Sequence, residues 1–406
     1  MEGEASWFSH CPDYAANDTV EPELFSELKD EDDKQVSSVL LDLILPDDLL
    51  ERILARLPIA SIFRAGCVCK RWHEIAKSGR FLWNSSQLLT HKPWYFMFTS
   101  SEKPIGYAYD PTFRKWHVME LPCIWTSSCF ISSSCGLFCF MDNDSRTDKL
   151  YVCNPITKCC ENLEEPPGFN FSDYIALAMV VNKKTRCYSV AIVKSKNIPE
   201  SFFQWDISIH VYDSGTTTWM CCLTDVLTGW RGGDESVICD GILYFMIYST
   251  GIGVSENRHG LITYNLSSRS SHGLLMRSFI PVPCCLTCGR LMNLKEKLVM
   301  VGGIGKRDCP DIIKGIGIWT LNGTEWQKIA RMPHKYFQGF EEFDDVFASS
   351  GSDDFIYIQC YGEPALLVFD VEQKKWRWCR KCPVKKRFPL QLFTGFCLEP
   401  RLEMIP

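Results

Sequence analysis

Two pairs of cysteines have the spacing of a metal-binding or redox motif. Cys285 and Cys288 form one CxxC pair, and Cys379 and Cys382 form the other. The pairs lie much farther apart than the pairs of an ordinary zinc site do. Many of the 22 cysteines lie in apolar runs, where cysteine packs as a small hydrophobic residue. We therefore expect reduced structural thiols, with no metal, cofactor or redox chemistry.

Signatures of catalysis are weak elsewhere in the chain. The eight histidines are scattered, and neither an HExxH nor a GxSxG motif occurs. The stretch "GGIGKRD" (Gly302 to Asp308) lacks the GxxxxGK[ST] spacing of a phosphate-binding loop, so we interpret it as a strand end and turn. We expect no catalytic residues in this chain.

Two stretches between apolar runs combine aromatic and charged residues in a way that suits protein binding. Tryptophan and arginine are favoured anchors of protein interfaces. We predict that both stretches are loops that bind a protein substrate, although loops held by internal salt bridges would look the same. The first is "TGWRGGDES", with Trp230, Arg231, Asp234 and Glu235, and the second is "KYFQGFEEFDD", with Tyr336 and Phe337.

The charge distribution argues against a nucleic acid or a membrane as partner. The net charge is −6 and the pI about 5.8, which gives no general attraction to polyanions. The basic run Lys374 to Arg387 contains two tryptophans, and we favour an outer strand with solvated charges over a nucleic-acid patch. The most apolar stretch, Ser236 to Val254, is interrupted by Asp240 and Gly241 and is interpreted as buried strands.

The first 35 residues are strongly acidic. They hold eleven Asp and Glu residues against two Lys residues, which predicts a disordered leader over residues 1–39. No apolar run follows Met1, so we predict no secretory signal and a location in the nucleus or the cytoplasm.

The elements that follow the leader carry more apolar surface than they can bury by themselves. After Pro46, five apolar residues between Leu49 and Leu57 fall on one broad helical stripe, and Pro58 stops the helix. A second short helix ends at Gly66, and a third segment is expected to end with Gly79 as its cap. Such a face packs either on the following domain or into a groove of a partner protein.

These residues resemble the F-box motif, at nearly every apolar anchor and at "VCKRW". The resemblance implies an all-α F-box of three short helices over residues 40–86, which binds a Skp-type adaptor and through it a cullin-RING ubiquitin ligase. Leu50 and Trp72 should then be binding hot spots. The implied adaptor-facing residues are Leu45, Pro46, Leu49, Leu50, Ile53, Leu54, Leu57, Pro58, Val68, Cys69 and Trp72.

Beyond the helices, one sequence frame recurs about every 50 residues. Two mostly apolar residues precede an Asp, Asn or Thr, and a Trp follows after five more residues. The anchors are residues 110, 154, 213, 265, 320 and 370, and Trp is replaced after the second and the fourth. We predict that the anchor ends a strand and that the Trp opens the return strand and packs between neighbouring sheets. These tryptophans are Trp116, Trp219, Trp326 and Trp376.

The period and the apolar strands are typical of a kelch propeller, and Gly302–Gly303 resembles the double glycine of a kelch blade. The alternative is a β-sandwich with scattered tryptophans. We predict an all-β propeller of six divergent kelch-like blades over residues 87–406. The whole layout resembles plant F-box/kelch-repeat proteins.

The resemblance implies a non-catalytic substrate receptor of an SCF ubiquitin ligase, with the propeller binding the protein substrate. A scaffold that sequesters its partner without ubiquitination is the main alternative. An enzyme whose active site lies in the propeller is the third hypothesis.

Overall fold

The structure is a computed structural model that describes residues 45–88, 92–99, 105–120, 129–142, 149–164, 166, 172–251, 258–267, 275–305, 312–338, 347–360, 365–384 and 393–406. The chain divides into two compact units, Met1–Thr90 and His91–Pro406. The predicted leader, residues 1–39, lies outside the described residues.

The described part of the first unit consists of short helices. They are α1 (Asp47–Leu54), α2 (Ile59–Gly66), α3 (Lys70–Lys77) and α4 (Gly79–Leu88). The expectation that Gly79 ends the last of three helices is wrong, because Gly79 begins α4. Ser78 has an extended backbone, and its Oγ accepts a hydrogen bond from the N–H of Phe81 at 3.2 Å. Ser78 therefore caps a fourth helix that the apolar pattern did not reveal.

The second unit contains six four-stranded antiparallel sheets, which confirms the six-bladed propeller. We number the sheets as blades 1 to 6. The strands of blades 1 to 3 are β1 (Trp94–Thr99), β2 (Ile105–Asp110), β3 (Lys115–Glu120), β4 (Cys129–Ser134), β5 (Leu137–Asp142), β6 (Leu150–Asn154), β7 (Cys159–Leu163), β8 (Tyr174–Val181), β9 (Tyr188–Ile198), β10 (Ser201–Asp213) and β11 (Thr218–Thr228).

Blades 4 to 6 continue the series along the chain. Their strands are β12 (Trp230–Cys239), β13 (Ile242–Ser249), β14 (His259–Asn265), β15 (Phe279–Pro281), β16 (Leu286–Leu294), β17 (Lys297–Gly305), β18 (Ile313–Asn322), β19 (Glu325–Arg331), β20 (Phe347–Ser352), β21 (Phe355–Cys360), β22 (Leu366–Asp370) and β23 (Lys375–Trp378). A 3₁₀ turn, Leu275–Ser278, precedes β15, and a short helix, α5 (His334–Phe337), follows β19.

The last strand closes the ring of blades. β24 (Phe393–Leu398) pairs with β1, from Trp94 opposite Leu398 to Thr99 opposite Phe393. Blade 1 thus combines a strand from the end of the chain with three strands from the start of the unit. Closure of this kind joins the two ends of the unit within one blade.

The anchor residue ends the third strand in five of the six blades. It is the last residue of β2, β6, β10, β14 and β22, as predicted. The side-chain oxygen of the anchor accepts a hydrogen bond from a backbone N–H two or three residues later, for example from Thr112 to Asp110 at 2.7 Å. Asp and Asn suit this turn because their short side chains reach the backbone of the loop.

Blade 5 produces the same sequence frame by a different turn. Asn322 pairs directly with Glu325, and Gly323 occupies the left-handed region at φ 61°. The anchor Thr320 lies inside β18 and not at its end. A two-residue hairpin replaces the four-residue loop of blades 1, 2, 3 and 6, and glycine supplies the positive φ that this hairpin needs.

Apolar side chains fill the spaces between adjacent blades. The cluster between blades 3 and 4 includes Ala178, Val193, Ile209, Leu243 and Phe245, all at most 2% exposed. Both faces of these sheets are covered by neighbours, so their inner strands are nearly continuously apolar. Among the described residues, no helix is long and apolar enough to cross a membrane.

Among the cysteines that the structure describes, most are free and one pair is bonded. The expectation that all thiols are reduced is wrong for Cys153 and Cys160, which form a disulfide. They are direct partners in the register of β6 and β7, so the sheet itself brings their side chains together. Cys379 and Cys382 are free, and burial raises the pKa of each thiol to about 12. Burial therefore favours the protonated thiol at both positions.

Candidate functional site

Helix α1 divides its apolar residues between two sides. Leu50 and Leu54 are 1% and 0% exposed, whereas Leu49 and Ile53 are 42% and 50% exposed. Positions i and i+4 share one side of a helix, and positions i and i+1 do not. Leu50 and Leu54 are therefore covered within this chain, whereas Leu49 and Ile53 are exposed, and contact of all four with the adaptor stays a prediction.

A network around Arg71 joins the start of α1 to α3. The Arg71 guanidinium forms an ion pair with Asp47 at 2.6 Å and donates a hydrogen bond to the carbonyl of Leu45. Val68 and Cys69 lie immediately before α3, the helix that this network ties to the start of α1. A partner 24 residues away leaves no local periodic signal, so the sequence pattern did not reveal this contact.

A second polar contact holds α4 on α1. Glu51 is 8% exposed, and its carboxylate accepts a hydrogen bond from Asn84 at 2.9 Å and pairs with Arg80 at 3.2 Å. Because a buried carboxylate is costly unless it is paired, these contacts make Glu51 part of the internal structure of the helical unit.

The remaining predicted residues form the outer surface of these helices. Val68 is 62% exposed and Pro46 is exposed. The other five are half-buried, namely Leu45, Leu57, Pro58, Cys69 and Trp72. We use the name helical face for the set Pro46, Leu49, Ile53 and Val68. Apolar side chains exposed together on a small helical unit are typical of an interaction surface.

In the propeller, the innermost strand of every blade lines one central channel of about 940 Å³. An ion pair lies within it, with Arg290 Nη1 at 2.5 Å from Glu235 Oε1. Arg290 Nε also donates to the carbonyl of Phe347 at 2.9 Å, and Glu235 accepts from the N–H of Leu291 at 3.2 Å. Burial raises the pKa of the Glu235 carboxyl, and the Arg290 guanidinium opposes this rise. The pair therefore links blades 4, 5 and 6 at the channel wall.

The prediction that "TGWRGGDES" is a loop is wrong. Most of this stretch belongs to β12, the innermost strand of blade 4. Its pairing with β13 shifts register between Gly232 and Ser236. A Cβ atom on Gly233 would lie 2.0 Å from the ring of Tyr248, so only glycine fits there. The two glycines allow an irregular strand that packs closely against its neighbours.

The irregular strand sends the four predicted residues in different directions. Trp230 packs on Phe279, with ring centroids 5.4 Å apart, and Asp234 and Glu235 line the channel. The Arg231 guanidinium lies 3.8 Å from the ring centre of Tyr174 and 4.9 Å from that of Tyr248. Tyr248 also donates a hydrogen bond to Asp234 at 3.2 Å. The structure thus brings Arg231 and Asp234 together around Tyr248 and separates Trp230 from them.

The second predicted loop begins with helix α5. Tyr336 and Phe337 are half-buried and pack against the core between blades 5 and 6. The Tyr336 hydroxyl donates a hydrogen bond to the carbonyl of Trp376 at 2.8 Å. Both side chains take part in joining the blades, and residues 339–345 of the stretch lie outside the described residues.

The repeat tryptophans hold neighbouring blades together. The indole N–H of Trp219 donates to the carbonyl of Glu164, just beyond the outermost strand of the preceding blade, at 2.7 Å. Trp116 and Trp326 make the equivalent bonds to the carbonyls of Arg380 and Pro281. Trp376 packs on Phe369, with ring centroids 4.5 Å apart.

The double glycine has a packing role in blade 5. A Cβ atom on Gly302 would lie 2.8 Å from Leu286, and one on Gly303 would lie 2.2 Å from Thr287. Both glycines therefore let β17 pack closely against β16. Their position within a strand confirms that "GGIGKRD" begins as a strand end.

The comparisons with known proteins cover both units. Residues 43–84 match the F-box domain model, and residues 118–297 match the model described as F-box protein At3g26010-like, beta-propeller. F-box/kelch-repeat protein At3g61590 of Arabidopsis thaliana is 60% identical over 417 residues, covering 100% of each chain. F-box only protein 6 of the same plant is 25% identical, over 87% of this chain and 73% of that protein. Protein UNUSUAL FLORAL ORGANS, also from Arabidopsis thaliana, is 25% identical, over 84% of this chain and 78% of that protein.

Proposed function

Because the chain belongs to the F-box/kelch-repeat family, we propose that it is the substrate-recognition subunit of an SCF-type ubiquitin ligase. The helical unit binds a Skp-type adaptor, and the propeller binds the protein substrate. Bringing the substrate and the charged ubiquitin-conjugating enzyme together raises their effective concentration, so this chain supplies no nucleophile.

The helical face is the observation that carries this proposal. Leu49, Ile53 and Val68 are large apolar residues that stay 42–62% exposed on a unit that matches the F-box model. Exposed aliphatic groups gain free energy when a partner covers them. The burial of Leu50 and Leu54 means that they support the helical face from within.

For the substrate, we propose the surface around Arg231 and Asp234 as the first contact surface. Arg231 is held between two tyrosine rings, so its guanidinium loses little conformational freedom on binding. The proposed place of action is the nucleus or the cytoplasm.

A developmental role in plants is a finer part of the proposal. It is supported by the resemblance of several stretches to the plant protein called HAWAIIAN SKIRT. These stretches include "PIASIFRAG", "KPWYFMF", "VLTGWRGGDESVI" and "LQLFTGFC".

Proximity labelling in plant cells under proteasome inhibition tests the proposal. The full chain and a variant with Leu49→Asp and Ile53→Asp should label the same substrate candidates, because the propeller is unchanged. Only the full chain should also label the adaptor and the cullin, and only the full chain should lower the abundance of candidates when the proteasome is active. If candidate abundance does not respond to either protein, the chain acts as a scaffold and the proposal is wrong.

A further inference from the structure

Cys153 and Cys160 occupy two positions of blade 2 that hold an aromatic pair in three other blades. Cys153 directly precedes the anchor Asn154, and Cys160 stands where the frame has tryptophan. The equivalent pairs are Tyr109–Trp116, Tyr212–Trp219 and Phe369–Trp376, whose ring centroids are 5.1, 5.4 and 4.5 Å apart. A covalent bond therefore takes the place of a ring contact in blade 2.

This bond is important for the outermost strand of blade 2. The side chain of Cys160 carries no indole N–H, so it cannot make the bond to the preceding blade that Trp116, Trp219 and Trp326 make. Besides its backbone pairing with β6, strand β7 is tied to β6 by the disulfide.

The two sulfur atoms differ in their access to solvent. Cys153 is 0% exposed, whereas Cys160 is half-buried. Cys159 is a free cysteine next to Cys160, and successive side chains of a strand point to opposite faces. Cys160 is therefore the more accessible residue of the pair, while Cys153 is protected and Cys159 is turned away from the pair.

We propose that Cys153 and Cys160 form a reversible thiol–disulfide modification site, which reacts with a low-molecular-weight thiol of the glutathione class. The inference is independent of the proposed ligase function. It rests on the register of β6 and β7, the unequal exposure of the two residues and their position in the repeat.

The exchange takes place in two steps. A thiolate attacks Sγ of Cys160, a mixed disulfide forms, and the electron pair leaves on Sγ of Cys153, which takes a proton from water. A second thiolate attacks the small-molecule sulfur of the mixed disulfide and releases the Cys160 thiolate, which is also protonated. The protein gains two protons and two electrons, and two small thiols are oxidised to one disulfide. Oxidised glutathione reverses both steps.

Opening the bond affects the contact between blades 2 and 3. Glu161 of β7 accepts a hydrogen bond from the Tyr188 hydroxyl at 3.4 Å, and Glu164, the residue after β7, accepts the indole bond of Trp219. When the disulfide opens, β7 is held less tightly to β6. The positions of the two acceptors, Glu161 and Glu164, then become less well ordered. The modification thus regulates the order of one edge of the propeller.

Differential alkylation with mass spectrometry, on the full chain in glutathione buffers of increasing oxidised fraction, tests the site itself. We expect Cys153 and Cys160 to become protected together and to be released together when the buffer is made reducing again. Thiols of Cys153 and Cys160 that remain free in fully oxidised glutathione would overturn the proposal, and so would a bond that a reducing buffer never opens.

Hydrogen exchange then tests the consequence. We expect the amides of Cys159–Leu163 to exchange about tenfold faster in the reduced protein, with no change in β17. Cys159→Ser is the matched control and should keep the full response. Cys160→Ser should exchange fast in both buffers. A variant with Cys153→Tyr and Cys160→Trp introduces the aromatic pair of blades 1 and 3. Its β7 amides should be protected in both the oxidising and the reducing buffer. Equal protection of β7 in the oxidised and reduced wild-type protein would refute the regulatory role.

Discussion

Removing the exposed part of helix α1 should weaken adaptor binding without unfolding the protein. Leu49 and Ile53 are 42% and 50% exposed. Complete burial of such a side chain is worth about 1.5–3 kcal/mol, so covering the exposed half of each contributes about 0.7–1.5 kcal/mol. The double change Leu49→Ala and Ile53→Ala should therefore cost about 1.5–3 kcal/mol of binding free energy, which is a roughly 10- to 150-fold increase in Kd.

Calorimetric titration of the full chain with a Skp-type adaptor measures this increase, and urea unfolding of the same variant measures stability. We expect the free energy of unfolding to change by less than about 1 kcal/mol, because exposed side chains contribute little to the core. Leu54→Ala is the matched control in the same helix. Leu54 is 0% exposed, so its truncation should cost about 2–5 kcal/mol of stability.

The reasoning is refuted if the double variant binds the adaptor with unchanged Kd. It is also refuted if Leu54→Ala leaves stability unchanged while it alone abolishes binding. That pattern would mean that the inner side of α1, and not the helical face, contacts the adaptor.

Three further changes test the propeller. Trp219→Phe keeps an aromatic ring but removes the indole hydrogen bond to Glu164. It should lower the free energy of unfolding, measured with urea, by about 1 kcal/mol. An unchanged free energy would mean that this hydrogen bond is dispensable. Gly303→Ala places a Cβ atom 2.2 Å from Thr287 and should lower the free energy of unfolding by about 1–3 kcal/mol. Gly79→Ala is the control and should not lower it, because a Cβ atom there has nothing within 4 Å. Equal effects of the two changes would contradict the packing argument. Burial lowers the pKa of His259 from 6.5 to about 4, so the unfolded chain binds more protons between these values. The free energy of unfolding should fall by up to about 3 kcal/mol as the pH drops through that window. The variant His259→Gln should make the free energy of unfolding less dependent on pH in this range. An unchanged pH dependence in the variant would exclude His259 as the cause of the fall.

The propeller could be predicted because its signal is local and repeated. Asp110, Asp213 and Asp370 each end a strand and close the next turn with their own side chains, so residue type reports geometry directly. Blade 5 shows the limit of this signal. Its frame has the same Trp spacing, but its turn, Gly323 and Thr324, is shorter.

The helical unit shows what periodicity alone cannot decide. An apolar stripe identifies which residues avoid water, but not whether this chain or another one covers them. Leu50 and Leu49 are neighbours in the sequence and have the same side chain, yet one is 1% and the other 42% exposed. The contacts of Glu51 and Arg71 with other helices fix how α1 is turned, and these contacts join residues that are far apart in the sequence.

Short patterns of residue type were enough to predict the six repeats, most of the strands and the resemblance to a family. They did not reveal α4, and they could not show which residues are available to a partner, because that depends on the tertiary structure. "TGWRGGDES" is a polar, glycine-rich stretch that suits a loop, yet the register of blade 4 makes it an inner strand that lines the channel. In the sequence, nothing distinguishes Cys153 and Cys160 from the other cysteines among the 22. The pairing of β6 and β7 places them opposite each other. Exposure and proximity depend on contacts between distant parts of the chain, and no local pattern contains them.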